Sequence, residues 1–265
     1  MTPAATTRTA AVIGNPVRHS LSPIIHNAAF QVLDLDWTYV AFDIAPGCAA
    51  DALEAMKTLR LGGLSVTMPH KADVANALDQ LTPQAALLGA VNCVAWDQGE
   101  LVGHNTDGAG FVDNLVTETG ITLGGKTCAV VGAGGAARAI VLALAEAGAA
   151  KVVVINRTKS KAVAAAELAR DAGYAGSPED AASADIIVNA TPIGMAGTAS
   201  AGSVPIPVEL LHDDQIVAEL VYHPAQTPLL VAAAEAGATP VGGIGMLVHQ
   251  AAHQFSLWTG VPAPV

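Results

Sequence analysis

A chain of 265 residues is large for one hydrophobic core, so its length favours one large domain or two modest ones. About half of the residues are hydrophobic and only 13% are charged, which is typical of a compact globular protein and unlike a disordered one. The net charge of -11 disfavours nucleic acid and anionic membranes as general partners, because neither attracts an acidic surface.

The sequence carries no sign of export, membrane insertion or metal binding. Residues 1–10 lack the basic segment and apolar core of a signal peptide, and charges and glycines interrupt the apolar region at 129–155. Cys48, Cys93 and Cys128 are widely spaced and odd in number, which indicates neither a disulfide framework nor a metal site. We therefore expect a cytoplasmic protein without a bound metal ion.

The first predicted strand, at 10–13, ends in a Gly-Asn-Pro turn and leads to two serines. Ser22 precedes Pro23, which has the form of a helix start with Ser22 as the N-cap. Ser20 and Ser22 together are suited to hold a carboxylate. The alternative is that Ser22 only caps the helix and Ser20 is an ordinary loop residue.

The alternation of strands and helices up to residue 120 predicts one α/β layer structure. Lys71 follows a predicted strand end, where α/β proteins bind ligands, although an ordinary surface lysine is the common alternative. Asp107 stands before a predicted helix, either as an N-cap or as a functional carboxylate. The predicted elements are strands at 37–44 and 64–68, helices at 49–59, 71–78 and 111–119, and two strands at 90–95 and 100–104 that form either a hairpin or adjacent strands.

A glycine-rich loop near the middle of the chain joins a predicted strand at 127–131 to an alanine-rich helix at 136–147. In that context Gly132-x-Gly134-x-x-Ala137 is typical of a dinucleotide loop, with the pyrophosphate at the helix N-terminus. The alternative is a tight strand-to-helix turn without a ligand.

The next predicted strand, at 151–155, ends where such folds select their cofactor. An NAD-binding loop usually has an acidic residue there for the ribose 2′-hydroxyl, whereas this chain has Asn156, Arg157, Thr158 and, nearby, Lys161. Cations suit a 2′-phosphate, because arginine pairs with phosphate through two hydrogen bonds. The alternative is an exposed basic helix start, which would oppose the helix dipole. We therefore expect NADP.

The rest of the chain continues the second α/β unit. Gln250, in the last predicted helix, could reach a substrate if that helix packs back on the first domain. The remaining predicted elements are helices at 164–172, 227–236 and 246–259, strands at 185–189 and 215–221, and a glycine turn at 242–245.

Taken together, these motifs resemble the shikimate dehydrogenase family over nearly the whole chain. They occur in the family's order: Gly14-Asn15-Pro16 with Ser20-Leu21-Ser22-Pro23, Val66-Thr67-Met68-Pro69-His70-Lys71, Gly89-Ala90-Val91-Asn92, Asn105-Thr106-Asp107-Gly108, the loop at 132–138, Asn156-Arg157-Thr158, the segments 189–195 and 221–230, and 245–251. The resemblance implies an α/β fold with a substrate-binding domain at 1–107, completed by a C-terminal helix at 243–265 that packs back on it. It also implies a Rossmann-type NADP-binding domain at 108–242, in a monomer or homodimer.

The activity that this resemblance implies is the reversible NADP-linked oxidation of shikimate to 3-dehydroshikimate, run as a reduction in aromatic biosynthesis. Lys71 and Asp107 would flank the carbon that changes oxidation state. The implied substrate contacts are Ser20, Ser22 and Tyr222 to the carboxylate, and Thr67, Asn92, Asp107 and Gln250 to the ring hydroxyls. The implied NADP contacts are Gly132, Ala133, Gly134, Gly135, Ala136, Asn156, Arg157, Thr158, Lys161, Thr191, Leu220, Gly243 and Met246.

Two alternatives share parts of this pattern. Relatives that act on quinate or on an amino analogue carry nearly all of the motifs, and an NADP(H)-sensing regulator without chemistry would explain the second half alone. Ser22, where quinate-preferring members often have threonine, and the basic loop at 156–158 favour shikimate and NADP. The chain departs from the family's usual residues at Lys161, Pro192, Glu219 and His223.

Overall fold

The computed structural model describes residues 2–265, which divide into two compact units. The first unit holds residues 2–106 and 250–265, and the second unit holds residues 107–249. One boundary follows Thr106, and the other falls inside the last helix, between His249 and Gln250. Within residues 2–265, no helix has both the length and the apolar character needed to cross a membrane.

The first unit is built on a six-stranded mixed sheet. Its strands are β1 (Arg8–Gly14), β2 (Trp37–Asp43), β3 (Gly63–Val66), β4 (Gln80–Leu81), β5 (Cys93–Asp97) and β6 (Glu100–His104). Its helices are α1 (Ser22–Val32), α2 (Ala49–Leu59), α3 (Lys71–Ala77) and α4 (Pro83–Leu88). The strand order is β2-β1-β3-β5-β6-β4, with β5 antiparallel to both neighbours. The predicted hairpin is confirmed, because β5 and β6 pair around Gln98 and Gly99, which both have positive φ.

The second unit is built on six parallel strands. They are β7 (Thr127–Val131), β8 (Lys151–Ile155), β9 (Gly173–Gly176), β10 (Ile186–Asn189), β11 (Ile216–Glu219) and β12 (Thr239–Val241). Its helices are α5 (Asp107–Thr119), α6 (Gly135–Glu146), α7 (Lys159–Ala166) and α8 (Pro228–Glu235), with short 3-10 helices at Glu167–Ala172, Pro178–Ser183 and Val208–Leu210. The last helix, α9 (Gly243–Thr259), begins in the second unit and belongs to the first unit from Gln250 onward. The strand order β12-β11-β10-β7-β8-β9 is that of a doubly wound Rossmann fold, which confirms the predicted fold class.

The residues of β1 explain the two-sided core of the first unit. Successive side chains of a strand point to opposite faces, so a strand covered on both faces must be apolar throughout. Ala11 and Ile13 join a cluster with the buried side of α2 and α3, whereas Ala10 and Val12 join the cluster around Phe30. The continuous apolar run of the sequence therefore marks a strand that is buried on both faces.

His26 lies inside the aromatic cluster of the first unit. Its ring stacks on Tyr39 with 4.4 Å between centroids and lies 5.1 Å from the ring of Trp258. Only 1% of the residue is exposed, and this burial lowers the pKa of His26 to about 3. The ring is therefore neutral in the folded protein at all ordinary pH values.

Acidification is expected to destabilise the first unit through His26. The unfolded chain takes up the proton near pH 6.5, whereas the folded chain does not until about pH 3, so stability is lost as the pH falls below 6.5. Between pH 7 and pH 5 the free energy of unfolding should fall by about 2 kcal/mol from this group alone. His26→Phe keeps a ring but binds no proton, so urea unfolding at both pH values should show a shallower pH dependence. An unchanged dependence would contradict the assignment.

Four predicted details are wrong. Ser22 is the first residue of α1 and not its N-cap, because Leu21 before it already has helical backbone angles. Asp107 is likewise the first residue of α5 and does not cap it from outside. The helix predicted at 164–172 begins at Lys159 and ends as a 3-10 helix. The glycine turn at 242–245 is absent, because Gly243 begins α9, where a Cβ would lie 2.6 Å from the carbonyl oxygen of Leu220.

Candidate active site and cofactor loop

Most of the candidate substrate residues of the first unit follow strand ends at one edge of its sheet. Ser20 and Ser22 follow β1, and Thr67 and Lys71 follow β3, which runs parallel to β1. Asn92 precedes β5, and because β5 is antiparallel to β3, its amino end meets the same edge. The topology therefore brings these five sequence-predicted residues to one side of the sheet.

Backbone hydrogen bonds hold this edge together. The N–H of Val66 donates to the carbonyl oxygen of Asn92 at 2.8 Å, and the N–H of Thr67 donates to that of Ile13 at 3.0 Å. The carbonyl oxygen of Lys71 accepts from the N–H of Val91 at 2.9 Å, which fixes the start of α3 against the segment that carries Asn92. Thr67 and Lys71 are both half-buried, as expected of groups that face a ligand.

The serine pair is arranged by its own hydrogen bonds. The backbone N–H of Ser22 donates to Oγ of Ser20 at 3.3 Å, which links the two serines. Ser22 is buried and lies inside α1 rather than at its N-cap. The alternative in which Ser22 serves only as an N-cap is thereby excluded.

A buried polar network joins Asn92 to the last helix. Oδ1 of Asn92 accepts from the N–H of Thr106 at 2.8 Å, and Oγ1 of Thr106 donates to the carbonyl oxygen of Gln250 at 3.1 Å. Nδ2 of Asn92 donates to Oγ1 of Thr106 at 3.0 Å and reaches Oε1 of Gln250 at 3.5 Å. These bonds orient the side chains of Asn92 and Gln250 at the same edge of the sheet.

The network continues through residues that the sequence analysis did not select. Nε2 of Gln254 donates to Oε1 of Gln250 at 2.8 Å, and its Oε1 accepts from Oγ of Ser65. Ser65 in turn accepts from the hydroxyl of Tyr39 at 2.6 Å, and burial raises the pKa of Tyr39, so the network is neutral. The sequence held one signal for Gln254, which follows Gln250 by four residues, so that both amides lie on one face of the helix.

Two candidate residues belong to the second unit. Asp107 is 7% exposed and is the first residue of α5, one peptide bond after Thr106. Tyr222 is half-buried and follows the carboxyl end of β11. A carboxylate in the first turn of a helix is stabilised by the helix dipole.

The glycine loop of the second unit lies at the carboxyl end of β7. Gly132 has a φ of 119°, and a Cβ at this position would lie 2.9 Å from the carbonyl oxygen of Ala190. Gly134 and Gly135 face open space, with no atom within 4 Å of an added Cβ. The N-cap of α6 is Gly134, which has no side chain to satisfy the first N–H groups of the helix. This cradle fits a dinucleotide pyrophosphate, and Ala133 and Ala136 flank it.

The substitution Gly132→Ala is expected to weaken NADPH binding roughly tenfold or more, because it adds backbone strain and a clash with the loop after β10. Titration of NADPH fluorescence measures the dissociation constant. Gly120→Ala is the matched control, since Gly120 also has positive φ but has open space around its Cβ position. Equal dissociation constants for the two variants would contradict the role of Gly132.

The basic residues lie at the next strand end. The carboxyl end of β8 is held beside the glycine loop by the N–H of Gly132, which donates to the carbonyl oxygen of Ile155 at 2.8 Å. Nδ2 of Asn156 donates to the carbonyl oxygen of Thr158 at 3.0 Å, which shapes the loop before α7. Arg157, Thr158 and Lys161 are exposed. Their position suits the 2′-phosphate of an adenosine whose pyrophosphate lies on the glycine loop.

The other half of the dinucleotide site would lie across the point where the strand order reverses, between β7 and β10. Thr191, in the loop after β10, lies against Gly132, with its methyl carbon 3.2 Å from an added Cβ. Gly243 packs on the backbone of Leu220, and Met246 follows one turn later, half-buried. The predicted cofactor residues on this side thus also collect at the carboxyl edge.

Three family profiles match consecutive parts of the chain. The shikimate dehydrogenase substrate binding domain matches residues 12–94. The shikimate / quinate 5-dehydrogenase profile matches residues 114–194, and the shikimate 5′-dehydrogenase C-terminal domain matches residues 243–265.

Individual relatives match over the whole length. The NADP(+) shikimate dehydrogenase of Methanopyrus kandleri is 44% identical over 271 residues, which cover 98% of this chain and 93% of that protein. The shikimate 5-dehydrogenase of Thermus thermophilus, solved with NADP(H) and shikimate, is 37% identical with a TM-score of 0.89, covering 97% of this chain and 95% of that one. Quinate dehydrogenase from Corynebacterium glutamicum, solved with NAD, is 32% identical with a TM-score of 0.88 and the same coverage.

Proposed function

The chain belongs to the shikimate dehydrogenase family, and on that premise we propose that it catalyses the reversible NADPH-linked reduction of 3-dehydroshikimate to shikimate. The observation that supports the proposal is that one chain carries two groups of candidate residues, one in each unit. The second unit has a dinucleotide loop at its strand-order reversal, and the first unit has hydroxyls, amides and Lys71 at one edge of its sheet.

The polar edge of the first unit is suited to a small polyhydroxylated acid. Ser20 and Ser22 hold the substrate carboxylate, with help from Tyr222, because hydroxyl groups donate to carboxylate oxygens. Thr67, Asn92 and Gln250 bind the ring hydroxyls, and the buried hydrogen bonds of Asn92 and Gln250 keep their amides in one orientation. A site that hydrogen-bonds each hydroxyl rejects an analogue that lacks one.

Lys71 and Asp107 carry out the proton chemistry. When bound, NADPH supplies a hydride to the carbonyl carbon of 3-dehydroshikimate. Negative charge then develops on the carbonyl oxygen, and the ammonium group of Lys71 stabilises it. Lys71 or Asp107 delivers the proton that completes the hydroxyl group, and in the reverse direction the same residue removes that proton.

The two proposed binding functions are assigned to different parts of the chain. We assign substrate binding to residues 1–107 with 243–265, and NADP binding to residues 108–242, close to the division into compact units. Arg157 and Lys161 select NADP through its 2′-phosphate. We further propose a cytoplasmic monomer or homodimer without a nucleic-acid partner, in keeping with its acidic charge.

A preference for quinate is the second candidate, because the quinate dehydrogenase of Corynebacterium glutamicum shares the fold at 32% identity. Initial rates with shikimate and quinate, each with NADP and NAD, distinguish the two candidate activities. We expect the highest kcat/KM for shikimate with NADP. A higher kcat/KM for quinate with NAD would contradict the proposal.

A further inference from the structure

A buried carboxylate of the second unit has no part in the chemistry described above. Glu219 is the last residue of β11 and is 2% exposed. Burying a carboxylate costs free energy unless hydrogen bonds compensate it, and here burial raises the pKa of Glu219 while several hydrogen bonds oppose that shift. Packing alone therefore does not account for a carboxylate at this buried position.

The partners of Glu219 come from three segments at the carboxyl edge of the sheet. Nδ2 of Asn189, at the end of β10, donates to both carboxylate oxygens at 2.9 and 3.0 Å. The N–H of Val221 donates at 2.9 Å, and the hydroxyl of Thr227, before α8, donates at 3.0 Å. The carboxylate therefore ties the ends of β10 and β11 to the start of α8.

Asn189 connects Glu219 to the loop that follows β10. It is fully buried, and its Oδ1 accepts from the N–H of Thr191 at 3.0 Å and from the hydroxyl of Thr191 at 2.6 Å. Thr191 lies against Gly132 of the dinucleotide loop. A continuous set of contacts thus runs from Glu219 through Asn189 and Thr191 to Gly132.

Glu219 also fixes the backbone that follows it. Its bond to the N–H of Val221 sets the direction of residues 220–221, on which the first residue of α9 packs. A Cβ at Gly243 would lie 2.6 Å from the carbonyl oxygen of Leu220 and 2.9 Å from that of Val221. Thr191, Leu220 and Gly243, three candidate cofactor residues, are all held in this way.

We propose that Glu219 is a positioning residue that shapes the nicotinamide half of the NADP(H) site through Asn189, Thr191 and the backbone at 220–221. A doubly wound sheet binds the two halves of a dinucleotide on either side of its strand-order reversal. Arg157 follows β8 and marks the adenosine side, so the β10 and β11 side holds the nicotinamide. This inference rests on the proposed use of NADP and leaves the identity of the substrate open.

The central test compares two ligands on the variant Glu219→Gln. Glutamine has one carbonyl oxygen in place of two carboxylate oxygens, so its amide nitrogen meets the N–H donor of Asn189 and either Val221 or Thr227, according to which oxygen it replaces. NADPH contains both halves of the cofactor, whereas adenosine 2′,5′-bisphosphate contains only the adenosine half. We expect the dissociation constant of NADPH to rise about tenfold, the effect of one lost hydrogen bond to a charged group, with adenosine 2′,5′-bisphosphate changed less than about twofold.

A further variant separates positioning from general damage. Asp185→Asn is the matched control, because Asp185 accepts from the N–H of Thr127 at 2.8 Å at the opposite edge of the same sheet. This control should leave both dissociation constants unchanged.

Two results would overturn the inference: unchanged NADPH binding in Glu219→Gln, or an equal loss of affinity for both ligands. NADPH fluorescence and competition by adenosine 2′,5′-bisphosphate give these constants without any turnover. If the wild type binds NADPH but does not oxidise shikimate, the proposed reaction fails while the role of Glu219 is still decided.

Discussion

Replacing Lys71 with alanine is expected to lower kcat by roughly 10²-fold or more, the usual contribution of a general acid or base. The variant loses the ammonium group that stabilises charge on the carbonyl oxygen during hydride transfer. Lys71 lies in the first unit and the dinucleotide loop lies in the second, so the dissociation constant of NADPH should stay the same. Steady-state kinetics and NADPH fluorescence measure the two quantities separately.

Lys57→Ala is the matched control for this prediction. Lys57 also lies on a helix of the first unit, but it is exposed and its ammonium group pairs with Glu54 at 2.9 Å. Its removal should leave kcat within about twofold of wild type, since exposed ion pairs contribute little. If kcat of Lys71→Ala stays near that of wild type, or falls no further than kcat of Lys57→Ala, then Lys71 takes no part in the reaction.

Replacing Arg157 with aspartate is expected to shift the ratio of kcat/KM for NADP over NAD by roughly 10²-fold toward NAD. The variant loses the cation that pairs with the 2′-phosphate and adds a carboxylate that repels it, which is specificity by both attraction and repulsion. The same carboxylate can accept from the 2′-hydroxyl of NAD. Initial rates with the two cofactors at saturating shikimate measure the ratio.

Arg170→Asp controls for charge reversal as such. Arg170 is also exposed in the second unit, but it precedes β9 and so lies toward the amino edge of the sheet. The substitution keeps a non-glycine residue at this position, which has φ 51° and ψ −127° in the wild type. We expect Arg170→Asp to keep the cofactor ratio of wild type. An Arg157→Asp variant with unchanged NADP preference would refute the assignment of the basic loop.

Sequence patterns predicted the long, strongly apolar elements and failed at short ones. The strands at 127–131 and 151–155 were predicted with the observed bounds, because four consecutive buried apolar residues in each leave a clear signal. Sequence patterns missed three short strands, Gln80–Leu81, Gly173–Gly176 and Thr239–Val241. Each has two to four residues, and at least half of those residues are exposed. Tertiary pairing with a neighbouring strand, rather than local pattern, creates them.

The residues of the candidate site also differ in how far the sequence could predict their placement. Lys71 and the glycine loop stand next to strand ends, so their placement at a sheet edge followed from the order of elements. The hydrogen bond between Ser65 and Gln254 joins residues 189 positions apart, and that between Asn189 and Glu219 joins residues 30 positions apart. No local pattern reports such pairs, which is why the residues that orient the site emerged only from the structure.

The most direct test of the account mixes the wild-type protein with NADPH and 3-dehydroshikimate, following NADPH absorbance and shikimate formation together. We expect the absorbance to fall and one shikimate to appear for each NADPH oxidised. A protein that binds NADPH by fluorescence titration but leaves its absorbance unchanged with this ketone would contradict the account and favour a sensor of NADP(H) without chemistry.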